Sequence, residues 1–215
     1  MVFLNVSTTT ASVEIKYFTS AGQPLTLPVS GVGLVAENKI AVPANGTASV
    51  EFDASSVPLV VGWAEVVSSA SVRGQGIYHT QTPGQPASEA AVPLLVRESS
   101  TCVIPLPADS SAFPDALLLP FDNTDGYVSS IALANVTSAA ATLDVEFVDA
   151  TGRQLHSFQK QMPAHGHTAF ATTDYAAVAG KQGLVRVRQN AVAFSAIAFL
   201  FSPGGAFTTL LPIAR

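Results

Sequence analysis

Apolar and polar residues alternate at period two in the clearest segments of the chain. Residues 12–18 read S-V-E-I-K-Y-F, and residues 142–149 read T-L-D-V-E-F-V-D. A strand turns successive side chains to opposite faces, so each segment predicts one core face and one wet face. Residues 191–201, "AVAFSAIAFLF", are apolar at almost every position, as a central strand of a sandwich would be. Turn chemistry separates such runs. "TSAGQPL" (19–25) and "DATGRQL" (149–155) carry a Gly free to take positive φ. In "PANG" (43–46) and "PAHG" (163–166), Pro fixes φ early and Gly closes the turn. No helix longer than about 10 residues is predicted. "DYAAVAGKQG" (174–183) predicts one short helical turn, with Asp174 as cap and Gly180 as stop. Short strands at regular spacing with turn signals predict an antiparallel β-sandwich or barrel.

The pattern occurs twice, at an offset of about 120 to 130 residues. "NVSTTTASVEIKYFTSAGQPL" (5–25) aligns without a gap to "NVTSAAATLDVEFVDATGRQL" (135–155). Asn5 falls on Asn135, Val13 on Leu143, Ile15 on Val145, Tyr17 on Phe147 and Gly22 on Gly152. "VPANGTASVEF" (42–52) falls on "MPAHGHTAFAT" (162–172), "GWAEVVSS" (62–69) on "GLVRVRQN" (183–190), and "EAAVPL" (89–94) on "TTLLPI" (208–213). The expected fold is all-β, two tandem antiparallel Ig-like β-sandwich domains, residues 1–97 and 98–215. The boundary is placed near "LLVRESSTC" (94–102). The Pro-rich run 103–121 then leads into the first strand of the second copy, at an edge or a crossover.

The copies are unequal at their starts. Within the second copy roughly thirty residues lie ahead of Asn135, whereas four precede Asn5, so the counterpart of "ALLLPFDNTDGY" (116–127) is missing from the first copy. Three explanations stand side by side. The chain is a piece of a longer array, the first domain has fewer strands, or another subunit supplies the strand by β-augmentation. The third places an assembly edge at Val13, Ile15 and Tyr17 or their neighbours.

Composition narrows the partners. Only 12% of residues are charged, about half the usual share, while 48% are hydrophobic. The ten Lys and Arg are scattered and the net charge is −5, which argues against nucleic acid. No apolar run reaches the ~18 residues of a membrane helix. Cys102 is single, so it forms no internal disulfide, and it reads as a small buried hydrophobe. "MVFLNV" lacks the basic start of a signal peptide.

Candidate chemistry is sparse. His165 and His167 could chelate a metal if they sat two apart on a strand, but Gly166 between them predicts a turn. "DNTDG" offers Asp122, Asn123 and Asp125 to a hard cation, yet has neither the EF-hand spacing nor its closing Glu; Asp and Asn also build turns. No Ser elbow occurs, and His79, His156, His165 and His167 fall in loop-like stretches. The lone Trp63 reads as core, because the second copy has Leu184 there. Tyr78 and His79, beside a flexible loop, are better placed for a ligand. No cofactor is implied, and the expected protein is not an enzyme.

"GWAEVVSSASVRGQGIYHTQTPGQPASEAAVPL", "LPFDNTDGYVSSIALANV" and the "PAHGH" turn resemble β-sandwich modules repeated in large secreted or surface proteins of soil bacteria, notably acidobacteria. That resemblance implies an extracellular or cell-surface, Ig-like or fibronectin-like role and carries over no catalytic residue. The expected function is a structural or adhesion module, a spacer or part of a surface fibre, contacting other protein modules or copies of itself. A carbohydrate-binding module on polysaccharide and a filament subunit joined by strand complementation are the alternatives.

Overall fold

The computed structural model describes residues 1–53, 60–80, 87–94, 116–189 and 193–214. These residues are all-β and form several antiparallel sheets, as the alternation predicts. The chain divides into two compact units, Met1–Ile77 with Ala91–Leu94, and Tyr78–Ala90 with Leu95–Arg215. The expected boundary between 97 and 98, Cys102, and most of the Pro-rich lead-in lie outside the described residues.

The first half of the chain runs β1 (Val2–Asn5), β2 (Ala11–Thr19), β3 (Leu27–Val29), β4 (Gly33–Val35), β5 (Glu37–Val42), β6 (Thr47–Ser49), β7 (Gly62–Ser68), β8 (Val72–Thr80) and β9 (Ser88–Pro93). One sheet has the order β6-β1-β8-β9 and another β5-β2-β7, with β3 and β4 a separate hairpin. Phe3 of the first sheet and Val13, Ile15, Tyr17 and Val42 of the second share one buried core. The alternation in β2 is therefore read correctly: its odd residues from Ala11 to Tyr17 are buried and its even ones face out.

The second half runs β10 (Leu117–Asp122), β11 (Val128–Asn135), β12 (Ala141–Asp149), β13 (Gln154–Met162), β14 (His167–Ala171), β15 (Gln182–Gln189), β16 (Phe194–Phe201), β17 (Phe207–Leu210) and β18 (Ile213–Ala214). Its sheets have the orders β14-β11-β16-β17 and β13-β12-β15-β10-β18. Leu119, Ile131, Leu133, Leu143, Val145, Phe147, Val185 and Val187 fill the core between them.

The repeat survives in three dimensions. β6-β1-β8-β9 matches β14-β11-β16-β17, and β5-β2-β7 matches β13-β12-β15. Even the pairing agrees: Thr19 lies opposite Gly62, and Asp149 opposite Gly183. The copies differ at one place above all. In the second, β15 is followed across the sheet by β10 and β18. In the first, β7 ends the sheet among the described residues.

Two expectations need correction. β10 is neither an edge nor a crossover, since it pairs with β15 along its length and with β18 at Leu117 and Leu118. Pro120 fits there because β18 stops short of it, so its missing N–H deprives no partner. Asp174 is not a helix cap: it ends the first of two 3₁₀ turns, Thr172–Asp174 and Ala176–Val178, neither capped by a side chain. The Pro-Ala turns close as expected, with the Gly46 and Gly166 N–H groups donating to the Pro43 and Pro163 carbonyls at 3.0 and 2.9 Å, and the positive φ falls on Asn45 and His165. Gly46 and Gly166 are needed for space, because an added Cβ would crowd Pro43 and Pro163.

Candidate functional site

The Asn residues that open the two repeats build the same corner. Asn5 Nδ2 donates to the Thr9 and Val42 carbonyls at 2.7 and 3.0 Å, while its Oδ1 accepts from the Ser7 N–H and hydroxyl. Asn135 Nδ2 donates to the Ala139 and Pro163 carbonyls at 2.7 and 2.8 Å, and its Oδ1 accepts from the Thr137 N–H and hydroxyl. Both side chains are buried, and a buried amide needs such partners. Sequence reading used these residues only to align the repeats.

"DNTDG" is a corner of related design between β10 and β11. Asp122 Oδ1 accepts from the Thr124 N–H and hydroxyl at 2.8 and 2.6 Å. Asn123 is buried; it donates to the Val178 carbonyl and accepts from the Ser129 N–H and the Thr172 hydroxyl. Asp125 has φ +51 and is exposed at the turn. Carboxylate and amide oxygens thus serve the backbone, as turn residues do. His165 occupies the turn itself and His167 opens β14, so the pair does not share a strand face. Burial holds the His167 imidazole below its ordinary pKa. Among the described residues, no group of three or more His, Cys, Asp or Glu could hold a metal. Tyr78 is exposed on β8, and His79 Nδ1 lies 3.1 Å from Glu89 Oε1 on the neighbouring strand β9.

Trp63 is not a core residue. Pairing puts it beside Phe18 on β2, while the next pair, Tyr17 and Ala64, faces the core. Paired residues share a face, so Trp63 looks out. It is partly exposed, and its ring stacks on Phe18 at 5.0 Å and 21°. Two copies with Trp and Leu at one position gave a misleading core signal; the register decides against it.

Val13, Ile15 and Tyr17 are not an assembly edge either. They belong to the middle strand of β5-β2-β7 and are 0%, 0% and 2% exposed. Among the described residues, the uncovered edge is their neighbour, β7. Ser69 N–H donates to the Ser12 carbonyl across the β2 pair. In an antiparallel ladder this direction alternates, so Glu65, Val67 and Ser69 bond toward β2. The backbone groups of Ala64 and Val66 point the other way, where β7 pairs with no strand among the described residues.

The second copy shows what coverage does at the same positions. Val185 and Val187, the counterparts of Ala64 and Val66, lie opposite Leu119 and Leu117 of β10 and are fully buried. Ala64 and Val66 stay partly exposed. The rim changes too. Where the covered strand has Lys181, Gln182 and Arg188, the uncovered one has Val60, Val61 and Val67, all exposed. That substitution pattern was legible in the aligned repeats. A cleft of about 250 Å³ also opens beside β5 and β6, lined by Val29, Asn38, Lys39, Ile40, Ser49 and Glu51; no sequence-predicted site residue lines it.

Comparison of the chain with protein-family models, with curated proteins and with solved structures returned no match.

Proposed function

We propose that the chain is a non-enzymatic extracellular module, a spacer or adhesion unit built from two tandem Ig-like β-sandwiches. What carries the reading is the duplication itself: one strand order, one pairing and one buried Asn corner occur in both units. A duplicated scaffold whose buried Asn side chains are committed to its own corners works through length and surface. The low charge and the Ser-, Thr- and Ala-rich composition suit a stalk. Its partners would be other protein modules or further copies.

Stretching the chain from its two ends by single-molecule force spectroscopy tests this. Two separate unfolding steps are expected, each releasing on the order of 300 Å of chain at ~3.5 Å per residue. Gradual extension without steps would overturn the spacer reading. Carbohydrate binding is the second reading, favoured by the outward Phe18 and Trp63 rings. The two rings stack on each other rather than lying side by side, which leaves a small platform for a sugar. A glycan array on which Trp63→Ala abolishes the signal would favour it.

A further inference from the structure

We propose that β7 is an acceptor edge for an extended strand from another polypeptide, bound as β10 is bound in the second unit. The proposal rests on the reading of the protein as a module that works through its surfaces, and it names the surface. Three observations converge on β7. Its strand neighbour is absent among the described residues, whereas the duplicate strand β15 has one. Its inward residues Ala64 and Val66 are partly exposed where Val185 and Val187 are sealed. Val60 and Val61 just before it and Val67 within it are exposed, in place of Lys181, Gln182 and Arg188. Exposed apolar residues at both ends of a strand whose Ala64 and Val66 backbone groups meet no strand among the described residues are a docking feature.

The duplicate also dictates the ligand. β10 runs antiparallel to β15, with Phe121 opposite Gly183, Leu119 opposite Val185 and Leu117 opposite Val187. Transferred to the first unit, the incoming strand sets large apolar residues opposite Gly62, Ala64 and Val66. Between them, one residue faces outward opposite Glu65, the counterpart of Arg186. Glu65 makes no ion pair among the described residues, while Glu14 is held by Lys39 at 3.0 Å. A cation on the incoming strand therefore complements Glu65. The ligand class is an extended peptide with apolar residues at three alternate positions and Lys or Arg at the outward position after the first of them. Main-chain bonds supply affinity and the alternate pockets supply selectivity.

The full chain is titrated with a fluorescent peptide, ALKLPFDN, which follows residues 116–123 with Lys in place of Leu118. Saturable binding of one peptide per chain is expected. The peptide with Glu at that position should bind a few fold more weakly. Ala64→Pro removes one N–H that faces the uncovered edge and none that bonds β2, so the unit keeps its fold. It should weaken binding by about tenfold or more. With Cys102→Ser and Ala64→Cys, a peptide carrying Cys at the third apolar-or-outward position from Leu117, the Leu119 place, should form a disulfide; with Trp63→Cys it should not. A folded Ala64→Pro chain, checked by circular dichroism, that binds as well as the original overturns the proposal. So does a chain that binds no peptide, which would assign the edge to the chain's own residues. Self-association that Ala64→Pro abolishes would also overturn it, by assigning the edge to a second copy. None of these outcomes alters the number of force steps, so the edge and the spacer reading fail independently.

Discussion

At the scale of single residues, the polar side chains of the corners and turns are structural parts, and their removal has calculable consequences. Asn135 satisfies two carbonyls and accepts two bonds in a buried corner. Asn135→Ala leaves those groups unpaired, at a cost of about 2–4 kcal/mol. Chemical denaturation should show the loss in the second unit only, with Asn5→Ala doing the same to the first. Asp149 provides a pH signature. Its carboxylate accepts from the Thr151 hydroxyl at 2.6 Å, then from the Thr151 and Arg153 N–H groups. The Thr151 hydroxyl foremost, with these bonds, holds its pKa at about 2, below the ordinary 3.8. A depressed carboxyl stabilises the fold above its unfolded pKa and loses that contribution as pH falls. The window is therefore about pH 4 down to about pH 2. Asp149→Asn should flatten the acid limb of the stability curve there, as read by melting temperature against pH. Thr19 holds this place in the first unit, where its hydroxyl accepts from the Gln23 N–H, so that unit should lack the effect.

At the scale of elements, legibility followed register. β2 and β12 were plain from alternation, and β10 and β11 from the turn between them, because one side chain in two must be buried. The Pro-Ala turns were recognisable, but which residue takes positive φ was not. Asn and His both tolerate that region better than most residues, so Asn45 and His165 take it at the same place in the two turns. Trp63 was misread because facing is fixed by pairing with Phe18, a partner forty-five residues away that hydrophobicity alone does not reveal. The uncovered edge was half legible: the missing strand showed in the repeat, but its place beside β7 required the sheet order. The pairing of Gly62 and Gly183 gives an element-scale prediction. A Cβ on Gly183 would run into the Val148 carbonyl, and on Gly62 into the Phe18 carbonyl. Alanine at either site should cost about 1–3 kcal/mol by overcrowding. The two losses should add, because they sit in different units.

At the scale of the whole molecule, the two units share one plan with unequal coverage among the described residues, and unequal stability should follow. β10 adds Leu117, Leu119 and Phe121 to the second core, all but sealed from water. Burying such side chains is worth about 1.5–3 kcal/mol each, less the entropy of ordering the strand. The described part of the first core has no equivalent contribution, and Ala64 stands where Val185 fills space. The first unit should therefore unfold first. Hydrogen exchange read by mass spectrometry under rising urea should show β2 and β5 losing protection before β12 and β13. Gly62→Ala should advance only the early transition, and Gly183→Ala only the late one. The strand peptide sharpens the same measurement. A ligand that binds only the folded first unit raises its stability by mass action, about 2.7 kcal/mol at a hundredfold excess over Kd. The early transition should then move toward the late one, while the late one stays put. Simultaneous loss of protection in both units, with or without peptide, would refute unequal coverage as the source of the difference.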